Sequence, residues 1–139
     1  MALPDQIRLE IVTPEKRLFS GPVDEVSVPT SRGYLGILPG HAPLLGELGI
    51  GEISCRRGDR REYFFCSDGF LEVLPDRVVI LAQVAEKASE IDVGRAEQAK
   101  LRAEKLLASK DPDTNFDQVQ SDLKRATARL ETARHQQRK

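Results

Sequence analysis

Hydrophobic and polar residues alternate along the first part of the chain, from residue 6 to about residue 84. The alternating runs are rich in β-branched and aromatic residues and lie at residues 7–11, 26–28, 50–53, 63–65, 70–73 and 78–81. Turn-forming residues separate them at positions 20–22, 31–33, 57–59, 67–69 and 75–76. Short period-2 segments between glycine turns predict a β-sandwich, or a flattened barrel, of about eight to ten strands.

The pattern changes after Ala85. Residues 91–139 contain one Gly, one Pro and a single aromatic residue, and most other positions hold strong helix formers. Asp92 is a candidate N-cap of a first helix, residues 111–113 interrupt that helix, and Asn115 or Ser121 begins a second one. The sequence therefore predicts a β-sandwich domain over residues 1–88, followed by an antiparallel two-helix hairpin over residues 89–139.

The apolar faces of these two helices are narrow. Helical spacing aligns Ala96, Ala99, Ala103, Leu106 and Leu107 on the first helix, and Leu123, Ala126, Leu130 and Ala133 on the second. Burying an alanine contributes much less than the roughly 1.5–3 kcal/mol of a buried leucine. We therefore expect a weakly held hairpin. Two interpretations remain open, an ordinary alanine zipper and a hairpin that opens or extends.

Charge and composition exclude several classes of function. The formal net charge is −1 and the sequence pI is about 6.1, which argues against a nucleic-acid partner. The longest apolar runs, such as residues 78–82, are far shorter than the roughly 20 residues of a membrane helix. The first residues lack the features of a signal or transit peptide, so we expect the protein to stay in the compartment where it is made.

The usual signatures of catalysis are missing from the sequence. It has two histidines, His41 and His135, and no Gly-x-Ser-x-Gly, Cys-x-x-Cys, Walker-type or dinucleotide-binding loop. We expect a protein that is not an enzyme and needs neither a metal nor a cofactor. Cys55 and Cys66 are interpreted as reduced thiols, although a disulfide between neighbouring strands remains open.

The most distinctive segment is Gly-Tyr-Leu-Gly-Ile-Leu-Pro-Gly-His-Ala-Pro-Leu-Leu at residues 33–45. No helix start and no Lys-Ser/Thr pair follow its glycines, so a phosphate cradle is disfavoured. A rigid Pro-Gly turn between two strands is the alternative. An exposed loop of this composition is suited to docking against another protein.

Four arginines are placed so that they can meet between the helices. Arg95 and Arg102 are two turns apart on the first helix, and Arg125 and Arg129 share a face of the second. Their mutual repulsion would favour an anion between them. The alternative is local pairing of Arg95 with Asp92 and of Arg125 with its own acidic neighbour at three-residue spacing.

The segment at residues 33–45, together with the Ile-Asp-x-x-Arg-Ala start of the hairpin at residues 91–96, resembles the epsilon subunit of bacterial F-type ATP synthases. The resemblance covers essentially the whole chain. It implies a non-catalytic subunit of the central stalk that links the gamma subunit to the ring of c subunits and so couples proton flow to ATP synthesis. It also implies a peripheral position at the cytoplasmic face of the bacterial plasma membrane.

The resemblance further implies site residues. Contacts with the c-ring and the gamma subunit fall on Tyr34, Pro39, Gly40, His41, Ala42 and Pro43. Family hairpins extend toward the catalytic head and block ATP hydrolysis, which here implies contacts of Lys124, Arg125, Arg129 and Arg134 with the beta subunits, beside the alpha subunits. In some members the folded hairpin binds ATP as a regulatory ligand, and the matching residues are Glu86, Ile91, Asp92, Arg95, Ala96, Arg102, Arg125 and Arg129.

The basic end of the chain fits the expected contact of the hairpin with beta subunits. The last 18 residues carry 6 basic and 2 acidic side chains, so an acidic protein surface is a natural target. A different class of function remains open, a stand-alone adaptor with a β-sandwich scaffold and a partner-binding helical arm. Only the hypothesis of an epsilon-like stalk subunit requires a stable complex with a gamma subunit.

Overall fold

Eight strands followed by two helices make up the fold in the computed structural model, which describes residues 4–137. The strands are β1 (Ile7–Val12), β2 (Arg17–Val23), β3 (Glu25–Thr30), β4 (Gly33–Ile37), β5 (Leu44–Leu48), β6 (Gly51–Arg57), β7 (Arg60–Leu74) and β8 (Arg77–Lys87). A 3₁₀ turn at Ala88–Glu90 leads into α1 (Val93–Ala108) and α2 (Phe116–Gln137). The predicted β-sandwich with two C-terminal helices is confirmed.

Strand β7 joins the two layers of the sandwich. Its first half pairs with β6 from Arg60 to Cys66, and its second half pairs with β5 from Gly69 to Val73. Between the halves, Asp68 and Gly69 have φ angles of 59° and 137°. Backbone in this left-handed region bends the strand, so that one strand belongs to both layers.

Two turns expected from the sequence are wrong. Residues 67–69 form the bend inside β7 rather than a turn between two strands. Residues 20–22 lie inside β2, where Pro22 pairs with Arg8 of β1. Strand β2 is at the end of the sheet order. A proline is tolerated in such an edge strand because no further strand needs the backbone N–H that proline lacks.

The main core lies entirely within the sandwich. Its buried side chains come from β1 to β8, and the largest include Phe64, Ile7, Leu9, Ile80 and Leu71. The two thiols of the core are free. The register of β6 and β7 pairs Cys55 with Glu62, and Cys66 with Gly51, which keeps the two sulfurs apart.

Helix ends follow the sequence closely. The Asp92 carboxylate accepts the backbone N–H of Arg95 at 3.0 Å, and the Asn115 side chain accepts that of Gln118 at 3.2 Å. Both therefore act as N-caps, and Asn115 rather than Ser121 begins the second helix.

The contact between the helices is narrower than the predicted stripe. Ala96, Ala103 and Ala126 are buried, whereas Leu106 is 42% exposed. A second, small cluster packs the hairpin on the sandwich and consists of Phe65, Ile91, Ala128 and Ala133, with Ile50 and Val93 at its border. The predicted boundary at residue 88 falls in the 3₁₀ turn and stays a prediction.

Within residues 4–137, neither helix combines the length and the hydropathy needed to cross a bilayer.

Candidate functional site

A cleft of about 470 Å³ lies where the two helices meet the end of β8. Arginines and carboxylates line it in equal number, with two alanines at its floor: Arg95, Arg102, Arg129, Glu86, Glu90, Asp92, Ala96 and Ala99. The antiparallel helices bring the start of α1 beside the middle of α2, and β8 supplies Glu86. Three of the four arginines singled out from the sequence thus border one cavity.

Arg129 is already held by the sandwich. Its Nε donates to the Glu86 carboxylate at 2.6 Å, and its guanidinium lies 4.4 Å from the centre of the Phe65 ring. A charge-assisted hydrogen bond and a cation–π contact fix this side chain in one orientation. Arg129 therefore links α2 to β8 as well as lining the cleft.

Arg95 and Arg102 are differently placed. Among residues 4–137, neither takes part in an ion pair. One carboxylate oxygen of Asp92 accepts the N–H of the helix cap, and the alternative side-chain pair of Arg95 with Asp92 is not formed. These two guanidinium groups are the cationic donors that the cleft offers to an anion.

Arg125 lies outside the larger cleft. Its Nε donates to the Ser67 hydroxyl at 3.1 Å, and its terminal nitrogens contact Asp68 at 3.3 Å and Asp122 at 3.5 Å. It borders a smaller adjoining cavity of about 170 Å³, together with Arg102 and Arg129. Ile91, the remaining predicted ligand-site residue, is only 8% exposed and packs beneath the hairpin.

The distinctive loop between β4 and β5 is a rigid turn. The His41 N–H donates to the Leu38 carbonyl at 3.1 Å, and Gly40 has a φ of 86°, as a type II turn with Pro39 requires. The Gly40 N–H also donates to the carbonyl of Pro75, which ties the loop to the β7–β8 turn.

Three of the predicted docking residues have accessible surface. Ala42 and Pro43 follow it in the chain and are exposed. Tyr34 is 64% exposed, although its hydroxyl accepts the Glu52 N–H at 3.0 Å. The hydrogen bond holds the ring of Tyr34 in place on the surface.

An apolar patch that sequence reasoning missed lies on the outer face of β5, β7 and β8. Phe70 pairs with Leu81 and with Glu47, while Leu45 pairs with Glu72, so these side chains share one face. Leu45, Phe70 and Leu81 are 78%, 67% and 54% exposed. We call these three residues the outer patch. Contiguous exposed apolar side chains mark interaction surfaces.

The four basic residues expected to act on beta subunits divide into two pairs. Lys124 and Arg134 are exposed on α2 and have no ion pair within the described part of the chain. Arg125 and Arg129 are the two that bind the sandwich. Two of the four charges are therefore accessible while the hairpin is docked.

Comparison with known proteins assigns both parts of the chain. The β-sandwich domain of the ATP synthase delta/epsilon chain matches residues 6–88, and the long alpha-helix domain of the same chain matches residues 89–134. The chain belongs to the ATP synthase delta/epsilon chain family.

Individual relatives agree with this family assignment. The ATP synthase epsilon chain of Solibacter usitatus is 45% identical over 131 residues, which is 94% of this chain and 98% of the relative. The epsilon chain of Koribacter versatilis is 49% identical over 111 residues, 80% of this chain and 78% of the relative. A chain of the Euglena gracilis mitochondrial ATP synthase, solved as OSCP/F1/c-ring, has a TM-score of 0.83 at 25% identity, covering 97% of this chain and 85% of that one.

One contact of this family member was not anticipated from its sequence. His135 Nδ1 lies 2.7 Å from the Glu52 carboxylate, and its ring stacks on Tyr63 with centroids 4.2 Å apart. The two residues are 83 positions apart in the chain, so no local pattern links them. Burial raises the pKa of Glu52, opposed by the charge and hydrogen bond of His135.

Proposed function

We propose that this chain is a non-catalytic central-stalk subunit of a rotary, proton-translocating ATP synthase. In this role it joins the gamma subunit to the c-ring at the cytoplasmic face of the bacterial membrane, and its hairpin restrains ATP hydrolysis by the catalytic head. The observation that carries the proposal is the match of the sandwich and of the hairpin to epsilon chains over 94% of this chain.

Two surfaces of the sandwich support the docking role. The β4–β5 loop presents a rigid tip containing His41, Ala42 and Pro43, and the outer patch presents Leu45, Phe70 and Leu81. A rigid loop loses little conformational entropy on binding. Exposed aromatic and aliphatic side chains supply the apolar anchors that stable interfaces bury. We assign the loop to the c-ring and the outer patch to the gamma subunit.

The sandwich alone should bind the gamma subunit. Residues 1–88 retain the complete main core, and removing the hairpin uncovers only the small cluster around Phe65. We expect this fragment to fold cooperatively, as judged by urea unfolding followed by circular dichroism. It should also co-purify with a gamma subunit in stoichiometric amount.

A surface variant provides the control for this experiment. In the full chain, Leu45→Lys with Phe70→Lys should abolish co-purification while leaving the unfolding midpoint nearly unchanged, because both side chains are exposed and each lysine would face a glutamate on the paired strand. A fragment that unfolds would refute the two-module division. A folded full-length chain that never binds a gamma subunit would instead support a stand-alone adaptor.

The hairpin carries the regulatory part of the proposal. Lys124 and Arg134 already face outward, and undocking would release Arg125 and Arg129 from Asp68 and Glu86. The extended α2 would then present four cations to acidic segments of the beta subunits. Such contacts would hold the rotor in one position and stop hydrolysis.

Replacing Lys124, Arg125, Arg129 and Arg134 together with Ala should raise ATP hydrolysis by the assembled enzyme about eightfold to thirtyfold. This range follows from four surface ion pairs of about 0.3–0.5 kcal/mol each. A charge-matched control replaces four exposed sandwich arginines with Ala, namely Arg8, Arg17, Arg32 and Arg60. Steady-state ATPase assays on purified complexes of equal subunit content measure the effect. Equal rates in both variants would remove these hairpin charges from the inhibitory mechanism.

ATP is the proposed regulatory ligand of the cleft between the helices. A triphosphate would accept hydrogen bonds from Arg95 and Arg102, which carry no ion pair among the described residues, and from Arg129 once it is shared with Glu86. Because the cleft includes residues from β8, α1 and α2, it is complete only while the hairpin is docked. Bound ATP would therefore stabilise the docked hairpin by mass action.

A further inference from the structure

The C-terminal end of α2 is attached to the sandwich by an ionisable contact. His135 and Glu52 have 31% and 19% of their side-chain surface exposed, and their facing atoms are 2.7 Å apart. On its other side the imidazole stacks on Tyr63, with an interplanar angle of 21°. This contact is separate from the cleft lined by Arg95, Arg102 and Arg129.

Acidic side chains outnumber basic ones around His135. The titratable and charged residues that face it or its partner come from α2, β4, the β6–β7 turn, β7 and β8: Glu131, Tyr34, Asp59, Arg61, Glu62, Tyr63 and Lys87. With Glu52 included, this set holds four carboxylates and two cations. Arg61 pairs with Glu25 and Glu62 pairs with Arg57, which leaves three carboxylates and one cation, Lys87. His135 also lies in the last turn of α2, where the helix dipole favours a cation.

We propose that His135 and Glu52 form a proton-sensitive latch that docks the end of α2 on the sandwich when His135 is protonated and releases it when the ring is neutral. The proposal rests on the mobile hairpin of the proposed function. The Nδ1–H can donate to Glu52 in either charge state of the ring. Only the imidazolium neutralises the carboxylate, which would otherwise stay poorly hydrated and unpaired.

The pH dependence of docking follows from the contact between His135 and Glu52 and from the burial of Glu52. Histidine is the side chain whose charge ordinarily changes near neutral pH. Burial in the docked state raises the pKa of Glu52, and that burial is lost on undocking. The imidazole meets the Glu52 carboxylate only in the docked hairpin, so the ion pair of a charged ring stabilises that state alone. Docking is strongest at mildly acidic pH and weakens as pH rises through neutrality.

Distance measurements on the full chain test the latch. Nitroxide labels are placed on Asp76→Cys and Gln136→Cys, both exposed positions. Burial raises the pKa of Cys55 and of Cys66 to about 12, so the native thiols react slowly by comparison. Double electron–electron resonance between the two labels then gives the fraction of molecules with a docked hairpin. All samples contain the urea concentration at which about half of the wild-type molecules are docked near pH 7.

We expect the ratio of docked to undocked molecules to fall about threefold to tenfold between about pH 5.5 and pH 8.5. His135→Gln should lose most of this dependence, whereas His135→Arg, which stays charged and can still stack on Tyr63, should remain docked at both pH values. His41→Gln is the matched control, because His41 lies in the β4–β5 loop, and it should behave like the wild type.

Two outcomes would overturn the latch. One is a docked fraction that does not change with pH in the wild type. The other is a pH dependence that survives in His135→Gln. Neither result bears on the ATPase assay of the assembled enzyme, so failure of the latch is distinguishable from failure of the proposed function.

Discussion

The chain carrying Arg95→Ala and Arg102→Ala should bind ATP about a hundredfold more weakly than the wild type. Each guanidinium lines the cleft and takes part in no ion pair among residues 4–137, so each is available to a phosphate without first leaving a carboxylate. A hydrogen bond to a charged group contributes about 1.5–3 kcal/mol, which is at least tenfold in affinity for each arginine. Isothermal titration of the purified chain measures both dissociation constants.

Arg125 provides a graded comparison for this experiment. It borders only the smaller adjoining cavity and is engaged by Ser67 and Asp68, so Arg125→Ala should weaken ATP binding less than the double variant does. Arg60→Ala, at an exposed position of the sandwich, should leave the affinity unchanged. If no heat is released at millimolar ATP, or if the double variant binds as tightly as the wild type, the cleft is not an ATP site.

Replacing Gly69 with Ala should destabilise the protein by about 2–5 kcal/mol. The φ of 137° strains any residue with a Cβ, and an added Cβ would overlap the carbonyl of Leu81 on the neighbouring strand. Gly69 also marks the point where β7 passes from one layer to the other, so the strain cannot be relieved without moving β8. Urea unfolding followed by far-ultraviolet circular dichroism gives the free energy difference.

Gly36→Ala is the matched control for this substitution. Gly36 is likewise a strand residue, but an added Cβ would have no heavy atom within 4 Å and its φ is not positive. We expect a change within about 0.5 kcal/mol. If the two alanine variants unfold at the same urea concentration, the bend at Asp68 and Gly69 is not required for the sandwich.

The attachment of the hairpin to the sandwich explains how docking can be both specific and reversible. Three side chains of α2 reach three different strands, with Arg125 on β7, Arg129 on β8 and His135 on β6. The apolar part of the same interface is small and relies on alanines such as Ala128. Partly exposed polar contacts fix the orientation while adding modest stability.

This arrangement also offers two independent inputs to one motion. The proposed ATP cleft involves the middle of α2 through Arg129, and the proposed latch involves its end through His135. A ligand or a proton that binds only the docked state shifts the same equilibrium. The free energies by which ATP and the proton stabilise the docked hairpin are therefore expected to add. ATP titrations at acidic and alkaline pH would show this as a tighter apparent affinity for ATP at acidic pH.

Several features of this protein were determined by its sequence alone. Alternating apolar residues predicted the strands, because one face of each strand has to be buried, and the predicted range of eight to ten includes the eight observed among residues 4–137. Asp92 and Asn115 acted as N-caps, because a carboxylate or amide oxygen satisfies the free N–H groups of a helix start. The Pro39–Gly40 turn followed from the backbone preferences of those two residues.

Other features were decided only by the tertiary structure. Residues 67–69 have the composition of a turn, yet pairing with β8 on both sides of Asp68 keeps them within one bent strand. The sequence left open whether Arg125 joins the other three arginines or pairs locally, and in the structure Asp122, Ser67 and Asp68 hold it at the bend of β7. The contact between His135 and Glu52 joins residues 83 positions apart. Sequence spacing predicts neighbours along one strand or helix, whereas such partners depend on how separate elements pack, which only the folded chain determines.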